Sequence, residues 1–420
     1  MNEELNNKTM PEETTQLPDV SVETTLPSDV LDEAILLCEE IESEDIFFDE
    51  PEELNINPPA TKPVRRTTSR TSKKSRFKLY RSLLIAACSV LSVILVLSLT
   101  FLIIFQSKAK LIGRESSWKK PSQEEIDAFL DGEKESVPDD ALVLNPDDVQ
   151  WGNIPNPLEA NDGIINILLI GLDRRPGETY SRSDSMILCT LNKHTNTLTM
   201  TSFLRDMYVQ IPGYSDNRIN VAYFLGGTKL LNETILLNFG VKIDANVEVD
   251  MEGFAACIDV MGGVDVELTQ AEAEYIMNRY HRENPDKPAL SLSAGMNHLS
   301  GDAALIHARD RFTTGNGDFD RTSRQQKIMT AVFNKAKTMS LSEINELLNK
   351  LLPHLTTDMT DKEILGYTLA VVSLFDKLEL KRARIPADGA YYPAWINSMS
   401  VLVPDLEANH KVLAEIMKVN

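Results

Sequence analysis

Four cysteines in 420 residues are too few for a disulfide framework, and none stands at the spacing to a histidine that a zinc site needs. Cys38 lies in an acidic stretch and Cys88 in an apolar run. Cys189 and Cys257 sit in MILCTL and FAACIDV, settings in which cysteine is a small hydrophobe rather than a reactive thiol. Basic residues are also in deficit, 42 Lys and Arg against 63 Asp and Glu, for a formal net charge of −21. Nucleic-acid binding relies on a basic face that displaces counterions, so this balance excludes that class. No repeat is present, which excludes a solenoid. A local basic cluster remains free to hold a small anion.

What is present first is a run of 23 residues without a charge, Leu83–Phe105. At about 1.5 Å rise per residue it is long enough to cross a hydrocarbon layer of about 30 Å. It begins too late and runs too long for a cleaved secretory signal, and too much apolar sequence follows Cys88 for a lipid-attachment site. Nine Lys or Arg and no acid lie between Lys62 and Arg81, which places the N-terminal flank in the cytoplasm. The expected plan is a disordered acidic cytoplasmic tail over 1–61, with eighteen acids and one lysine, and a basic juxtamembrane segment over 62–82. A signal-anchor helix over 83–105, an extracellular stalk over 106–160 and an extracellular domain over 161–420 complete it. The acidic tail offers itself to a cytoplasmic partner, although such a charge run is commonly just solvated.

The domain reads as mixed α/β. IINILLIG is a buried strand ending at Gly171; DSMILCTLN and TLTMTSF form a hairpin around Lys193–Thr197. Helical patterns follow at Ala222–Phe239, Met251–Met261, Gln270–His281 and Gly301–Ala308, then from Arg321 onward, with a strand at Leu380–Ile385 and a terminal helix at Leu406–Met417. Alternating strands and helices predict a three-layer α/β/α sandwich around a mixed central sheet. A short helix is expected in the stalk near Glu124–Leu130.

Chemistry-bearing residues gather in three places. GLDRRPGETYSRSDS follows the first strand and carries Asp173, Arg175, Arg182 and Asp184; carboxylates beside arginines suit a hard divalent cation that shares a phosphate. The third strand ends in Arg205 and Asp206, which lie at the same sheet edge if that strand runs parallel to the first. HARDRFTTGNGDFDRTSRQQ, residues 307–326, carries Arg309, Arg311, Arg321 and Arg324, with Asp318 or Asp320 placed to cap the helix that starts near Arg321. Arg321, Arg324 and Gln325 share one helical face by spacing. Guanidinium forks and a helix N-terminus match the oxygens of a pyrophosphate. A salt-bridged surface explains each cluster taken singly.

Taken in order, NILLIGLDRR, RSDSMILCTLN, SFLRDMYVQIPG, RINVAYFLGG, GGVDVEL, the Gly295–Leu305 stretch and R-x-R…GD-x-x-R-x-x-RQQ resemble the LytR-CpsA-Psr family, across about 165–335. The resemblance implies a phosphotransferase that moves a glycopolymer of teichoic-acid or capsule type from a polyprenyl-pyrophosphate carrier to peptidoglycan, at the outer face of a Gram-positive-type membrane. It implies an apolar lipid tunnel, which the helices at 222–239 and 251–261 are placed to line, and Mg2+ or Mn2+ at its mouth. By position, Asp173 and Asp184 correspond to metal ligands. Arg175, Arg182, Arg205, Arg309, Arg311, Arg321, Arg324 and Gln325 correspond to pyrophosphate contacts, and Asn220 and Tyr223 to a further motif. Arg205, Asp206, Asp318 and Arg321 are the catalytic candidates, with Asp206 or Asp318 as base. The alternatives are a non-catalytic lipid-binding sensor of envelope synthesis and a polyprenyl-pyrophosphate hydrolase. Asp310 and Asp320 stand where an anion site does not ask for acids.

Overall fold

The computed structural model describes residues 96, 98, 100–114, 118–152, 156–158, 161–173, 182–315 and 317–418; the side chains of 173, 182, 251 and 341 are not described. The expected tail, the juxtamembrane segment and most of the apolar run lie outside these residues. The chain divides after Leu79, and the unit from Tyr80 onward is the one described below. Of the apolar run, residues 96, 98 and 100–105 are helical, and the helix continues to 109. Among the described residues no helix is long and apolar enough to cross a membrane.

Six strands form the central sheet: β1 (Ile164–Asp173), β2 (Arg182–Asn192), β3 (Thr197–Phe203), β4 (Ala245–Asp250), β5 (Leu355–Thr357) and β6 (Glu379–Ile385), in the order β5-β4-β1-β2-β3-β6. The pairs β1–β4 and β3–β6 are parallel; β1–β2, β2–β3 and β4–β5 are antiparallel, so the sheet is mixed. The predicted hairpin is the β2–β3 pair. Because β1 and β3 are each antiparallel to β2, both end at one sheet edge, which brings Arg205 to the edge where β1 stops and β2 starts.

The period-two alternation of strand side chains divides the core. Leu168, Ile170, Leu172, Met186 and Leu188 face helix α1 (Ile219–Phe239), with Leu406 and Leu413 of the terminal helix Leu406–Ile416 in the same cluster. The intervening residues Leu169, Gly171, Ser185 and Ile187 face the opposite way, toward α2 (Met251–Val260), α3 (Gly301–Arg309), α4 (Asp318–Ala336) and α5 (Leu341–Leu351). Helices thus cover both faces. The sequence pattern for α1 implied one continuous helix, but it breaks at Gly226 and Gly227. Gly227 has φ +63°, a conformation that glycine adopts without strain. The break frees the Phe224 carbonyl, which accepts a hydrogen bond from Trp118 Nε1 at 2.9 Å.

Trp118 belongs to the segment expected to be a stalk, and the stalk reading fails for 118–151. The helix Gln123–Gly132 is capped by Ser122 and Glu125, and its Ile126, Phe129 and Leu130 pack on the main core. Phe129 stacks on Phe224 with ring centroids 3.9 Å apart. Val143–Leu144 pairs with Tyr391–Ile396, and Trp151 Nε1 donates to Asp216 at 3.0 Å. Scattered single aromatics carry no periodic signal in sequence, so their burial was legible only in three dimensions.

Candidate functional site

The sheet edge is shaped by an irregularity at its centre. In the β1–β2 ladder Gly171 pairs with Ser185 but Leu172 pairs with Ser183, which leaves Asp184 as an extra residue on β2. Such a bulge re-aims a side chain out of the alternation. Asp184 accordingly turns to the arginines: its Oδ1 accepts from Arg205 Nη1 at 2.9 Å, its Oδ2 lies 3.9 Å from Arg311 Nη2, and its carbonyl accepts from Arg321 Nη2 at 3.0 Å.

Arg205 is the hub. Its Nε lies 3.3 Å from Asp206 Oδ1 and 3.7 Å from Asp318 Oδ1, and Asp318 in turn pairs with Arg321. Burial works against the charge on Arg205, but Asp206, Asp184 and Asp318 outweigh it and raise its pKa. Burial and the neighbouring Asp206 push the Asp318 carboxyl up to about 7, against the pull of Arg205 and Arg311. A carboxyl that exchanges its proton near neutrality has the property required of a general base or acid. Both Asp318 oxygens, Asp206 Oδ1, Arg205 Nε and Arg321 Nε are buried and make no hydrogen bond of acceptable geometry, although Arg205 Nε lies within ion-pair range of both carboxylates. The cluster therefore retains unspent polar capacity.

The 307–326 stretch separates into two functions. Arg311, a third exposed, faces Asp184, and Arg309 is exposed at the end of α3. Arg324 is 2% exposed and does not join them. Its Nε donates to Glu272 Oε1 at 2.8 Å, Nη1 to the Asp310 carbonyl at 2.9 Å and Nη2 to Thr314 Oγ1 at 2.7 Å. Adjacent residues on a helix diverge by about 100°, so Arg324 turns inward while Gln325 accepts from Ser185 Oγ at 3.1 Å. Burial disfavours the Glu272 charge, but His307 at 3.5 Å, Thr269 and Arg324 hold its pKa well below the carboxylate range.

The two unexpected acids serve the same loop. Asp310 accepts from the Phe312 N–H at 2.8 Å, the Thr313 N–H at 3.2 Å and the Thr313 hydroxyl; Asp320 accepts from the Thr314 hydroxyl. Neither Asp318 nor Asp320, the expected candidates, is the cap of α4. Gly317 holds that position, and Asp318 is the first helical residue.

Asn220 is 1% exposed, and neither of its amide atoms has a partner, although its carbonyl accepts from Ser183 Oγ at 3.5 Å. Tyr223 lies behind the site and donates to Glu248 Oε1 at 3.0 Å. Arg218, which the sequence reading passed over although it opens the same RIN motif, is a buried tie. It donates to Glu133 and Glu135 at 2.8 Å each and lies 3.7 Å from Asp206 Oδ1. It thereby links the segment 118–151 to the site. Glu272 was also missed. Its TQAE setting reads as a capping box, which it forms with Thr269, and only tertiary packing adds Arg324 to it.

Below the arginines an apolar cavity of about 280 Å³ lies between the sheet and helices α2 to α5. That is roughly twice the ~150 Å³ that holds a benzene ring and near the lower end of small-molecule pockets. Leu169, Ile187, Val247, Phe254, Met329 and Val332 line it, while Ser185, Arg309 and Gln325 stand where it meets the polar cluster. Helix α2 lines it as expected, but α1 does not; α1 packs on the other face. Burial pushes the Cys257 thiol in its wall up to about 11 and that of Cys189 up to about 12, which fits small apolar residues rather than nucleophiles.

Of the other expected site residues, Arg175 lies outside the described residues. Asp173 and Arg182 pair through their backbones at the β1–β2 end. Among the described residues no group of three or more His, Cys, Asp or Glu side chains is arranged to hold a metal. The available donors are carboxylate oxygens, and that chemistry suits a hard divalent cation: Asp184 stands in the cluster beside both Asp318 oxygens and Asp206 Oδ1, which have no hydrogen-bond donor.

Comparison with known proteins agrees with this architecture. The LytR_cpsA_psr family model matches residues 124–418. A Bacillus mycoides protein named polyisoprenyl-teichoic acid–peptidoglycan teichoic acid transferase TagU is 34% identical over 227 residues, covering 54% of this chain and 69% of that one. Biofilm regulatory protein A of Streptococcus mutans is 30% identical over 250 residues, 56% of this chain and 60% of the relative. Among solved structures, protein gbs0355 of Streptococcus agalactiae superposes with a TM-score of 0.51 at 22% identity, over 60% of this chain and 88% of the other, and shares the fold.

Proposed function

The chain belongs to the LytR_cpsA_psr family, and from that premise we propose that it transfers a teichoic-acid-type or capsule-type glycopolymer from a polyprenyl-pyrophosphate carrier to peptidoglycan. A single observation carries the reading: a cluster of arginines and carboxylates, with unspent polar atoms, adjoins an apolar cavity whose lining reaches Ser185, next to Asp184, together with Arg309 and Gln325. An anionic head joined to a hydrocarbon tail is the ligand class that meets both requirements. The relatives named as teichoic acid transferases support it.

Arg205, Arg311 and Arg321 neutralise diphosphate oxygens, with Arg309 at the rim; the guanidinium forks stabilise the charge that builds on the leaving phosphate. Gln325 and Ser185 mark the boundary between head and tail. Asp318 removes the proton of the attacking sugar hydroxyl, whose oxygen forms a bond to the phosphorus that carries the polymer. The phosphoanhydride bond breaks and polyprenyl monophosphate departs, leaving a phosphodiester. Asp173 and Asp184 would hold a divalent cation, Mg2+ or Mn2+, and that ion would supply further neutralisation of phosphate charge. The chain is anchored through 83–105, with its N-terminus in the cytoplasm and its domain outside.

Transfer in vitro tests this. Arg311 is half-buried and its removal leaves the core intact, so Arg311→Ala abolishes transfer while the variant unfolds at the temperature of the parent. Normal turnover by that variant would sink the assignment. Tight donor binding without product identifies a sensor, and polymer release onto water identifies a hydrolase.

A further inference from the structure

The lining of the apolar cavity extends to a part of the chain that the transfer reaction does not use. From Ser185 and Gln325 the cavity runs across β1 and β4 to Leu355 of β5 and Leu351 of α5. Strand β5 is the sheet edge, and the segment that leaves the apolar run is fastened to it. The Gly113 N–H donates to the Leu355 carbonyl at 2.9 Å, and the Thr357 N–H donates to the Gly113 carbonyl at 3.0 Å. Gly113 fits because little room exists for more: a Cβ there meets Thr356 Oγ1 at 3.0 Å and the Leu355 carbonyl at 3.3 Å. Two side-chain ties flank this bridge. Arg114 pairs with Asp361 and donates to the Met359 carbonyl, and Lys108 donates to Asn349 at the end of α5.

Residues 108–114 therefore bind the same strand and helix that close the far end of the cavity. Immediately upstream, Val96, Phe101, Leu102, Ile103 and Ile104 are helical and exposed, an apolar helical surface that no described residue covers. Exposed apolar residues in a charge-free run are covered by hydrocarbon rather than water.

We infer that residues 108–114 are a staple that holds the β5–α5 end of the cavity against the lipid bilayer, so that the prenyl tail passes from membrane to cavity beside Leu351 and Leu355. This rests on the transfer reading for the identity of the tail. The staple sets orientation: the tail enters at the edge strand, and the diphosphate reaches Arg205 and Arg311 at the opposite end. Without it the domain stays tethered but turns freely, and the cavity end no longer faces the lipid.

The full chain in phosphatidylglycerol–cardiolipin vesicles tests this by two independent measurements. A photoreactive benzophenone side chain is placed at Asn345, on the exposed face of α5 one turn before Asn349, or at Lys381 on β6 at the opposite sheet edge. Crosslinking to phospholipid from 345 and not from 381 is the expected result; equal yields, or a yield from 381 alone, overturn the inference. Separately, Arg114→Ala and Asp361→Ala lie outside the catalytic cluster and break the staple. They lower transfer from a vesicle-borne long-chain donor by about tenfold or more, a modest part of what favourable tethering supplies. Transfer from a short-chain soluble donor in detergent is unchanged. Retention of vesicle-borne transfer by both variants overturns the staple, as does equal loss with both donors. If the parent protein turns over neither donor, the transfer reading fails, and the crosslinking pattern still decides the orientation by itself.

Discussion

Replacing Arg324 by methionine should unfold the domain long before it reveals anything about phosphate. The guanidinium is 2% exposed and all three of its nitrogens donate: to Glu272 at 2.8 Å, to the Asp310 carbonyl at 2.9 Å and to Thr314 at 2.7 Å. Methionine keeps much of the volume but leaves Glu272, itself buried, as an uncompensated charge. Removing one partner of such a pair costs about 3–5 kcal/mol, which lowers the melting temperature by on the order of 10 °C. Urea unfolding measures it as a fall in midpoint with the slope unchanged. Adding Glu272→Gln removes the stranded charge while keeping an acceptor for the Thr269 cap, so the double variant recovers roughly 2 kcal/mol relative to the sum of the single changes. If Arg324→Met stays within about 1 kcal/mol of the parent while donor affinity collapses, Arg324 is a phosphate ligand and the structural reasoning is wrong.

Three further outcomes follow from the site. Asp318, pushed up to about 7 by burial and Asp206, must be ionised to accept a proton, so kcat/KM is lost as pH falls through about 7, and Asp318→Asn removes that limb of the profile. The sign for stability is opposite: a carboxyl with a raised folded pKa binds more protons folded than unfolded. Its contribution therefore declines as pH rises from its ordinary value of 3.8 to about 7, and Asp318→Asn flattens the stability profile across that window. Val247→Phe, which projects into the cavity wall, abolishes retention of a prenyl donor in a lipid-extraction assay while the protein remains folded; undiminished retention places the tail elsewhere. Chelation of divalent ions with EDTA stops transfer and added Mg2+ or Mn2+ restores it, a response that Asp184→Asn blunts; activity indifferent to chelation removes the metal from the proposal.

Much of this was legible before folding because the signals are local. Ten-residue apolar runs, a turn between two of them and helical periodicity depend on neighbours in the chain, and the strands, the β2–β3 hairpin and helices α2 to α4 appear where those patterns stand. The grouping of Asp184, Arg205, Arg311 and Arg321 was likewise anticipated, since strand direction alone carries the first two to one edge.

Sequence by itself determined the alternation that splits the sheet into two apolar faces, the excess of acid over base, and the clustering of arginines in a few short stretches. The tertiary structure decided how those groups are spent. Asp184 reaches the arginines because one extra residue in β2 breaks the alternation, an event of pairing register that no single strand encodes. Arg324 leaves its helical neighbours because a glutamate fifty-two residues earlier in the chain lies buried beside it. Asp310 and Asp320, misplaced as anion ligands, hold the loop that carries Arg311. Hydrogen-bonding capacity is a property of a residue, but the partner that satisfies it is a property of packing.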